Sequence, residues 1–270
     1  MQSVQVDAGL GLHEEPSRGG SRADLAFSRS LWLLRRALDA TREARKPAAR
    51  LADARGKARA LRRLALDVCE AHAFQPRVSG RLPTRPAILV ANHLSYIDPI
   101  VIASIVPCAP IAKGEILAWP LIGEAIRDLG VLFVRRGDAA HGARVLLRGL
   151  RLLRAGVSIL NFPEGTTSDG SAVGAFRRGI FGLARLARVP VLPLGIDFDS
   201  RELCWTGGAL FLPHYLKTAA LPGSRVHIAV GEPLNPSLYA HADALACDAR
   251  RRVIELCARH ARPSAPRSHR

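Results

Sequence analysis

The sequence predicts an α/β fold, in which a mixed, mostly parallel sheet is flanked by helices and preceded by an amphipathic helical hairpin. Two observations predict it. Short apolar runs of strand length alternate with longer segments of helical periodicity, an order typical of sheets whose parallel strands are joined by helices. The amino-terminal part instead contains two successive helical patterns. We therefore expect four parts: a disordered tail (1–22), a basic helical membrane-associating segment (23–80), an α/β domain (81–261) and a basic tail (262–270).

The amino-terminal segment is predicted to form two helices. The first carries a narrow apolar stripe at helical spacing, made of Phe27, Leu31, Leu34 and Leu38. The second spans roughly 48–71 and has an apolar face made of Leu61, Leu64, Ala65 and Val68. Residues 41–63 contain nine Lys and Arg residues against two Asp and Glu residues. Two interpretations stay open and are compatible: the hairpin lies on an anionic bilayer, or it packs on the core with a solvated basic face.

The remaining elements follow from the hydrophobic pattern. Pro, Gly and Arg in 76–86 predict a linker. Strands are predicted at 87–91, 130–136, 157–162, 189–196 and 226–230, and helices at 99–106, 139–155, 174–188 and 242–261. The prolines in 189–196 indicate an edge strand or the start of a strand. The segment containing Trp205, Phe211 and Tyr215 is compatible with a membrane-facing or acyl-contacting element, or with a satellite of the core.

The residues that indicate chemistry follow the first strand of the α/β domain. Asn92-His93 interrupts the apolar run, and Asp98-Pro99 precedes the next helix, where Asp is a favoured N-cap. A loop that ends at a helix can fold the Asp98 carboxylate back onto the His93 imidazole, whereas one continuous helix would separate them by roughly 140°. Asp98 would then hold one ring nitrogen and leave the other free to take a proton. In the alternative interpretation, Asp98 is only a cap and His93 only a loop residue. Ser95 is interpreted as a hydroxyl that shapes the loop.

The composition limits the classes of partner. The formal charge is +16 and the pI is about 11.1, which suits nucleic acid, an anionic membrane surface or phosphorylated substrates. A GC-rich genome would also produce an arginine- and alanine-rich composition. We find no zinc finger and no aromatic-rich RNA-binding signature, so no nucleic-acid partner is expected. The five cysteines are scattered without a C-x-x-C pair, so neither a disulfide framework nor a metal site is expected. This cysteine usage predicts a reducing compartment.

Four blocks resemble, in order, the motifs of the glycerolipid acyltransferase family. The first is Asn92-His93-x-Ser95-x-x-Asp98, which matches N-H-x-x-x-x-D. The second comprises Lys113-Gly114-Glu115, Pro120-Leu121-Ile122-Gly123 and the run 130–136. The third and most specific is Phe162-Pro163-Glu164-Gly165-Thr166-Thr167-Ser168, and the fourth is the proline-containing run 189–196. The resemblance covers roughly residues 85–235. Many relatives have an aspartate where Arg135 stands, so it stays open which of Arg135 and Arg136 contacts substrate.

The resemblance implies a reaction and a set of site residues. A fatty acyl group would pass from an acyl thioester, acyl-CoA or acyl carrier protein, to the free hydroxyl of 1-acylglycerol 3-phosphate, giving phosphatidate; no cofactor is implied. His93 would be the general base, and Asp98 would fix its tautomer. The implied substrate-binding residues are Lys113, Arg135, Arg136, Glu164, Gly165 and Thr166. Because a carboxylate repels phosphate, Glu164 is expected to orient a hydroxyl or a neighbouring arginine.

Two alternatives stay open. The acceptor could be another lyso-lipid, such as a lyso-ornithine lipid, or the chain could be a non-catalytic basic peripheral membrane-binding protein. The absence of G-x-S-x-G argues against a serine hydrolase. No uninterrupted run of about 20 apolar residues is found, and the amino terminus lacks a signal-peptide pattern. The expected location is the cytoplasmic face of the cell membrane, with peripheral or monotopic attachment.

Overall fold

The structure, a computed structural model, describes residues 21–44, 53–118, 122–135, 137–206 and 208–260. The helices are α1 (Arg22–Ala44), α2 (Ala54–Ala71), α3 (Asp98–Ile105), α4 (Ile122–Asp128), α5 (Ala139–Arg154), α6 (Gly179–Ala187), α7 (Phe211–Ala219) and α8 (Ala242–His260). The strands are β1 (Phe74–Ser79), β2 (Ile88–Ala91), β3 (Cys108–Lys113), β4 (Leu132–Val134), β5 (Ser158–Asn161), β6 (Val191–Phe198) and β7 (Ser224–Val230). The predicted tails fall almost entirely outside the described residues.

The strands form one seven-stranded sheet in the order β1-β7-β6-β2-β5-β3-β4. Five neighbours, from β6 to β4, run parallel to one another. β7 runs antiparallel to β6, and β1 runs parallel to β7. The predicted mixed, mostly parallel sheet is therefore confirmed, and the carboxyl ends of five strands share one edge.

Helices cover both faces of the sheet, because the central strands are apolar on both sides. In β2 every residue is buried. Ile88 and Val90 pack among residues of α5, α6 and α8, whereas Leu89 and Ala91 pack among residues of α2 and α3. The core therefore consists of two apolar layers separated by the sheet, and the loop after β2 leaves from its centre.

The predicted helical hairpin is confirmed, and the apolar stripe of its first helix is exposed to solvent. Arg29 of α1 donates to the carbonyl oxygen of Ala71 at the end of α2, and Arg36 pairs with Asp67, so the two helices run antiparallel. α2 packs on the core through Ala58, Leu61, Ala65, Val68 and Cys69. The α1 stripe stays exposed, from 72% at Phe27 to 38% at Leu38. No described helix combines the length and apolar character needed to cross a bilayer.

Prolines account for two errors in the predicted strands. The linker predicted at 76–86 is wrong over 76–79, because these residues belong to β1, which pairs with β7 and is an edge strand of the sheet among the described residues. Pro76 is tolerated there because an edge strand has one side without ladder hydrogen bonds. β3 was not predicted, since Pro107 and Pro110 indicate a break. In the structure β3 pairs with β5 up to Pro110 and with β4 from Ile111 onward, so the proline lies where the strand changes partner.

Two further boundaries differ from the prediction. Of the two alternatives for 189–196, the edge strand is wrong, because β6 lies between β7 and β2. The alternative of a strand start fits Pro190, which directly precedes β6, while Pro193 precedes Leu194, where pairing with β7 begins. The helix predicted at 174–188 begins only at Gly179. Before it, the backbone N–H groups of Gly174 and Arg177 donate to Glu164 and Pro163 instead of entering a helix. Tertiary hydrogen bonds therefore replace the first turn.

His72 provides a test of how the hairpin is attached. It is buried after α2, where Nδ1–H donates to the Val68 carbonyl at 3.0 Å and Nε2 accepts from the Tyr215 hydroxyl at 3.2 Å. Burial, with Arg29 nearby, lowers the pKa of His72 to about 4 from 6.5. Because only the unfolded chain is protonated between these values, this group stabilises the fold above about pH 6.5 and its contribution is lost as pH falls towards 4.

We expect His72→Phe to flatten the dependence of the free energy of unfolding on pH between about 4 and 6.5. Urea titrations of the wild type and the variant across this range measure the difference, which is at most about 3 kcal/mol. Two parallel curves would show that His72 is not buried in its neutral form.

Candidate active site

The candidate residues meet at the carboxyl edge of the parallel strands. β2, β5, β3 and β4 are successive neighbours in the sheet. His93 follows β2, Phe162 follows β5, Lys113 ends β3 and Arg135 follows β4. Crevices at this edge are where parallel α/β sheets bind ligands. The topology therefore brings together side chains that are far apart in the sequence.

His93 and Asp98 are in direct contact, as predicted. His93 Nδ1 lies 2.8 Å from Asp98 Oδ2, and the Asp98 side chain is fully buried while that of His93 is 19% exposed. Because a carboxylate only accepts, Nδ1 carries the proton and Nε2 keeps its lone pair. Within the described parts of the chain, no hydrogen-bond partner occupies Nε2. The pair thus has the geometry of an oriented base.

The loop is shaped by the carboxylate rather than by a helix cap. Asp98 Oδ2 also accepts from the backbone N–H groups of Leu94 at 2.7 Å and Ser95 at 2.9 Å. The prediction that Asp98 caps the helix is wrong: it is the first residue of α3, Ile97 is the N-cap, and no side chain caps the helix. The interpretation of Ser95 as a loop-shaping hydroxyl is also wrong, because its buried Oγ has no hydrogen-bond partner among the described residues. Its backbone N–H and carbonyl make the contacts with Asp98 instead.

The 162–178 segment holds His93 from the other side. The Phe162 ring stacks on the imidazole, with centroids 4.0 Å apart and an angle of 16°. Glu164 Oε1 accepts from the His93 N–H at 2.9 Å, and the His93 carbonyl accepts from the Ser168 N–H at 2.8 Å. Glu164 Oε2 accepts from the Gly174 N–H at 2.6 Å. In the structure both Glu164 oxygens bind backbone amides, and its expected role in orienting a hydroxyl or an arginine stays a prediction.

His93 opens onto a cleft of about 440 Å³ with a cationic wall. Lys113, Arg135, Gly165 and Arg177 all line it. Gly165 has φ +75°, and a Cβ there would lie 3.2 Å from the Arg177 guanidinium carbon, so the arginine lies directly over this glycine. The Arg177 guanidinium has no partner among the described residues, while Lys113 Nζ lies 3.1 Å from Glu115. Arginines are well suited to bind oxyanions bidentately.

Two of the remaining predicted site residues, Glu164 and Thr166, do not line the cleft. Thr166 is exposed and Glu164 is buried, and neither belongs to the cleft wall that the structure describes. Arg136 lies outside the described residues, so the structure does not distinguish it from Arg135. Sequence reasoning missed Arg177: it stands beside Arg178 in a basic pair, and no local signal shows which of the two turns towards His93.

An apolar cavity of about 200 Å³ lies beside the loop that joins β2 to α3. Its wall includes Tyr96, Ile97 and Ile100. Val68 of α2 and Phe211 of α7 complete this part of the lining. The Tyr96 hydroxyl lies 3.0 Å from Thr218 Oγ1 and 3.2 Å from His214 Nδ1, which ties the loop to α7. The loop therefore separates a cationic cleft from an apolar cavity.

The loop contacts predict a contrast between two neighbouring substitutions. Asp98→Asn weakens three hydrogen bonds to a buried oxygen and should lower the free energy of unfolding by about 1–3 kcal/mol. Ser95→Ala removes a buried hydroxyl without a partner and should change it by less than about 0.5 kcal/mol. Urea denaturation measures both. An equal loss in the two variants would mean that the Ser95 hydroxyl holds the loop.

Several known proteins are similar to this chain. A family model described as "Acyltransferase" matches residues 75–197. The lyso-ornithine lipid O-acyltransferase of Brucella abortus is 31% identical over 212 residues, which are 70% of this chain and 78% of that protein. The enzyme of the same name from Pseudomonas aeruginosa is 32% identical over 173 residues, 62% of this chain and 66% of that protein.

A plant relative and a solved structure complete the comparison. The 1-acyl-sn-glycerol-3-phosphate acyltransferase LPAT1 of Arabidopsis thaliana is 30% identical over 171 residues, 63% of this chain and 44% of that protein. The crystal structure of the 1-acyl-sn-glycerophosphate acyltransferase PlsC from Thermotoga maritima has a similar fold, with a TM-score of 0.65, 22% identity, and coverage of 90% of this chain and 96% of that one. The matches span two thirds or less of the P. aeruginosa and A. thaliana proteins. The chain belongs to the acyltransferase family that includes these lysophosphatidate and lyso-ornithine lipid enzymes.

Proposed function

We propose that the protein transfers a fatty acyl group from acyl-CoA or acyl carrier protein to the free hydroxyl of 1-acyl-sn-glycerol 3-phosphate, giving phosphatidate. One observation carries this proposal: the free Nε2 of the His93–Asp98 pair opens onto a cleft with a cationic wall. A general base beside the positively charged side chains of the cleft wall suits an acceptor that has both a hydroxyl and an anionic head group.

The chemistry proceeds without a covalent enzyme intermediate. Nε2 of His93 takes the hydroxyl proton as the acceptor oxygen attacks the thioester carbonyl, and Asp98 stabilises the imidazolium. Collapse of the tetrahedral intermediate breaks the carbon–sulfur bond, and the departing thiolate takes the proton from the imidazolium to leave as a thiol. General base catalysis contributes about 10²–10⁴ to the rate. The remaining acceleration comes from positioning the two substrates and stabilising the oxyanion.

The cationic wall supports a phosphate monoester as the head group. Arg135 and Arg177 line the cleft, and neither guanidinium has an ion-pair partner in the described parts of the chain. Lys113 is half-exposed and adds a third positive group beside Glu115. Unpaired guanidinium groups around a cleft bind an oxyanion more strongly than groups that are already neutralised. The apolar cavity on the other side of the loop suits an alkyl chain.

A lyso-ornithine lipid is the second candidate acceptor. Two of the relatives described above carry that name. Its head group combines a carboxylate with an ammonium group, and the cleft wall includes Asp138 besides the basic residues. Arg135 stands where many relatives have an aspartate, and this departure from the family pattern keeps the identity of the head group open. The two candidates differ in head-group charge, which makes them separable by assay.

We also propose that the protein binds an anionic membrane surface peripherally through α1. The α1 stripe is exposed to solvent at Phe27, Leu31 and Leu34, and exposed arginines flank it at Arg22 and Arg35. An apolar stripe bordered by cations is the pattern of an interfacial helix. This surface would hold the enzyme where lysolipids lie, with the cytoplasmic leaflet as the proposed side.

Activity against a panel of lysolipids tests the acceptor. With acyl-CoA as donor and release of thiol as the readout, we expect turnover with 1-acylglycerol 3-phosphate and a loss of about 10²–10⁴ in His93→Ala. Arg177→Gln should raise KM for that acceptor more than for a neutral lysolipid, because it removes a charge that binds the phosphate. Preference for lyso-ornithine lipid would establish the second candidate.

The same assay distinguishes an enzyme from a membrane-binding module. Retention of near-normal turnover in His93→Ala would refute the assignment of the base. If no thiol is released with any of the lysolipids and either thioester donor, while vesicle binding persists, the non-catalytic alternative is established.

Vesicle binding tests the α1 surface. Replacing Phe27, Leu31 and Leu34 with Ser should reduce binding to vesicles with anionic lipid about tenfold or more, because it removes three apolar side chains from the interface. The matched control replaces Leu147, Leu186 and Leu238, which are similarly exposed but belong to other surfaces. Binding should also weaken with salt. Equal losses in the two triple variants would rule out α1 as the membrane contact.

A further inference from the structure

We propose that Arg250, on α8, is a positioning residue for the reaction and acts on His93 through the 173–174 peptide group and Glu164. This inference rests on the proposed function, since its consequence is a rate of acyl transfer. Arg250 does not line the His93 cleft; it lines a separate cavity with Asn92 and Arg201. Its role is therefore to hold the site, and it does not contact substrate.

The first step of the connection joins α8 to the 162–178 segment. Arg250 Nη2 donates to the Val173 carbonyl at 2.7 Å, and Nε donates to the Val173 and Gly174 carbonyls at 3.2 and 2.8 Å. Three hydrogen bonds from a planar guanidinium fix the position of two successive carbonyls. The segment carries no regular secondary structure at this point, so its position depends on such contacts.

The second step passes through a single peptide group. The Val173 carbonyl that accepts from Arg250 belongs to the same peptide unit as the Gly174 N–H, which donates to Glu164 Oε2 at 2.6 Å. A cation at the oxygen polarises the peptide and strengthens the hydrogen bond made by its N–H. A Cβ at Gly174 would lie 2.9 Å from the same Glu164 oxygen, so only glycine allows this approach without a shift.

The third step reaches the base. The other Glu164 oxygen accepts from the His93 N–H at 2.9 Å, so one carboxylate joins the 173–174 peptide to the backbone of His93. The imidazole is thereby held at its backbone by Glu164 and at its ring by Asp98. The same segment carries Gly165 and Arg177 to the cleft wall. Loss of the Arg250 contacts would loosen the base and the anion-binding arginine together.

The neighbouring arginines of α8 have a different role. Arg251 pairs with Asp248 and Glu255, and Arg252 lies 3.9 Å from Asp248, all on the same helix. Of this run of three, Arg250 alone hydrogen-bonds to the 162–178 segment within the part of the chain that the structure describes. Arg251 is therefore a matched control that changes the charge of α8 equally.

Steady-state kinetics of acyl transfer test the proposal. We expect Arg250→Ala to lower kcat about tenfold to 10²-fold with KM for the thioester donor little changed, because displacement of a catalytic group by about 1 Å can cost that much. Arg250→Lys should recover part of the rate, since lysine supplies the positive charge but not the planar guanidinium that donates to both carbonyls. Arg251→Ala should stay within about twofold. In an E164Q background, Arg250→Ala should have much less effect than in the wild type, because the two residues act in one chain.

Hydrogen exchange of the His93 and Gly174 amides provides a readout that needs no substrate. Protection of both should fall in Arg250→Ala and persist in Arg251→Ala, with circular dichroism showing that the variants are folded. If Arg250→Ala does not fold, Gly174→Ala serves instead, because its Cβ disturbs the hydrogen bond between the Gly174 N–H and Glu164. Unchanged protection and kcat within twofold in Arg250→Ala, or effects of Arg250 and Glu164 that simply multiply, would overturn the proposal. Lost protection in a protein inactive on every lysolipid would retain the connection and refute the proposed function.

Discussion

The contact between His93 Nδ1 and a fully buried Asp98 oxygen is the constraint on which the site depends. A buried carboxylate is tolerated because three N–H groups converge on Oδ2, two of them from the loop backbone. The loop leaves the sheet at Asn92, whose side-chain amide donates to the Ile196 carbonyl and accepts from the Ile196 N–H. β6 therefore fixes the start of the loop and Asp98 its end, leaving the imidazole little freedom.

Arginine has a second role that composition alone does not reveal. Arg29 donates to the carbonyls of Ala219, the last residue of α7, and of Leu221, as well as to that of Ala71. Arg55 donates to the Ala155 carbonyl directly after α5. Arg62 donates to the Ser104 carbonyl near the end of α3. Cations at these positions satisfy carbonyls left unpaired at helix ends and favour the helix dipole. Part of the basic composition therefore stabilises the fold, and the part near His93 is small.

What the sequence allowed us to predict was local. The strand, loop and helix around His93 and Asp98 follow from an apolar run and a helix start, and both the order of the elements and the contact itself were predicted. The backbone contacts of Glu164 were not, because its partners are amides 71 and 10 residues away. Arg177 and Arg250 were missed for the same reason: each stands in a run of arginines, and only the packing of loops and α8 selects one. β3 was missed because a proline marks a change of strand partner.

The cationic cleft and the apolar cavity lie on opposite sides of the loop that joins β2 to α3. The cationic cleft borders His93 on the side of α5 and α6, whereas the apolar cavity borders Tyr96 and Ile97 on the side of the hairpin and α7. A lysolipid has a matching arrangement of polar and apolar parts, because its anionic head group and its alkyl chain lie on either side of the glycerol hydroxyl. The exposed stripe of α1 lies on a helix joined by Arg29 to α2 and α7, which line the apolar cavity. On the proposed function, a lipid approaching from that surface would meet the apolar cavity with its chain and the arginines with its head. Its hydroxyl would then lie at the loop between them, where His93 is held.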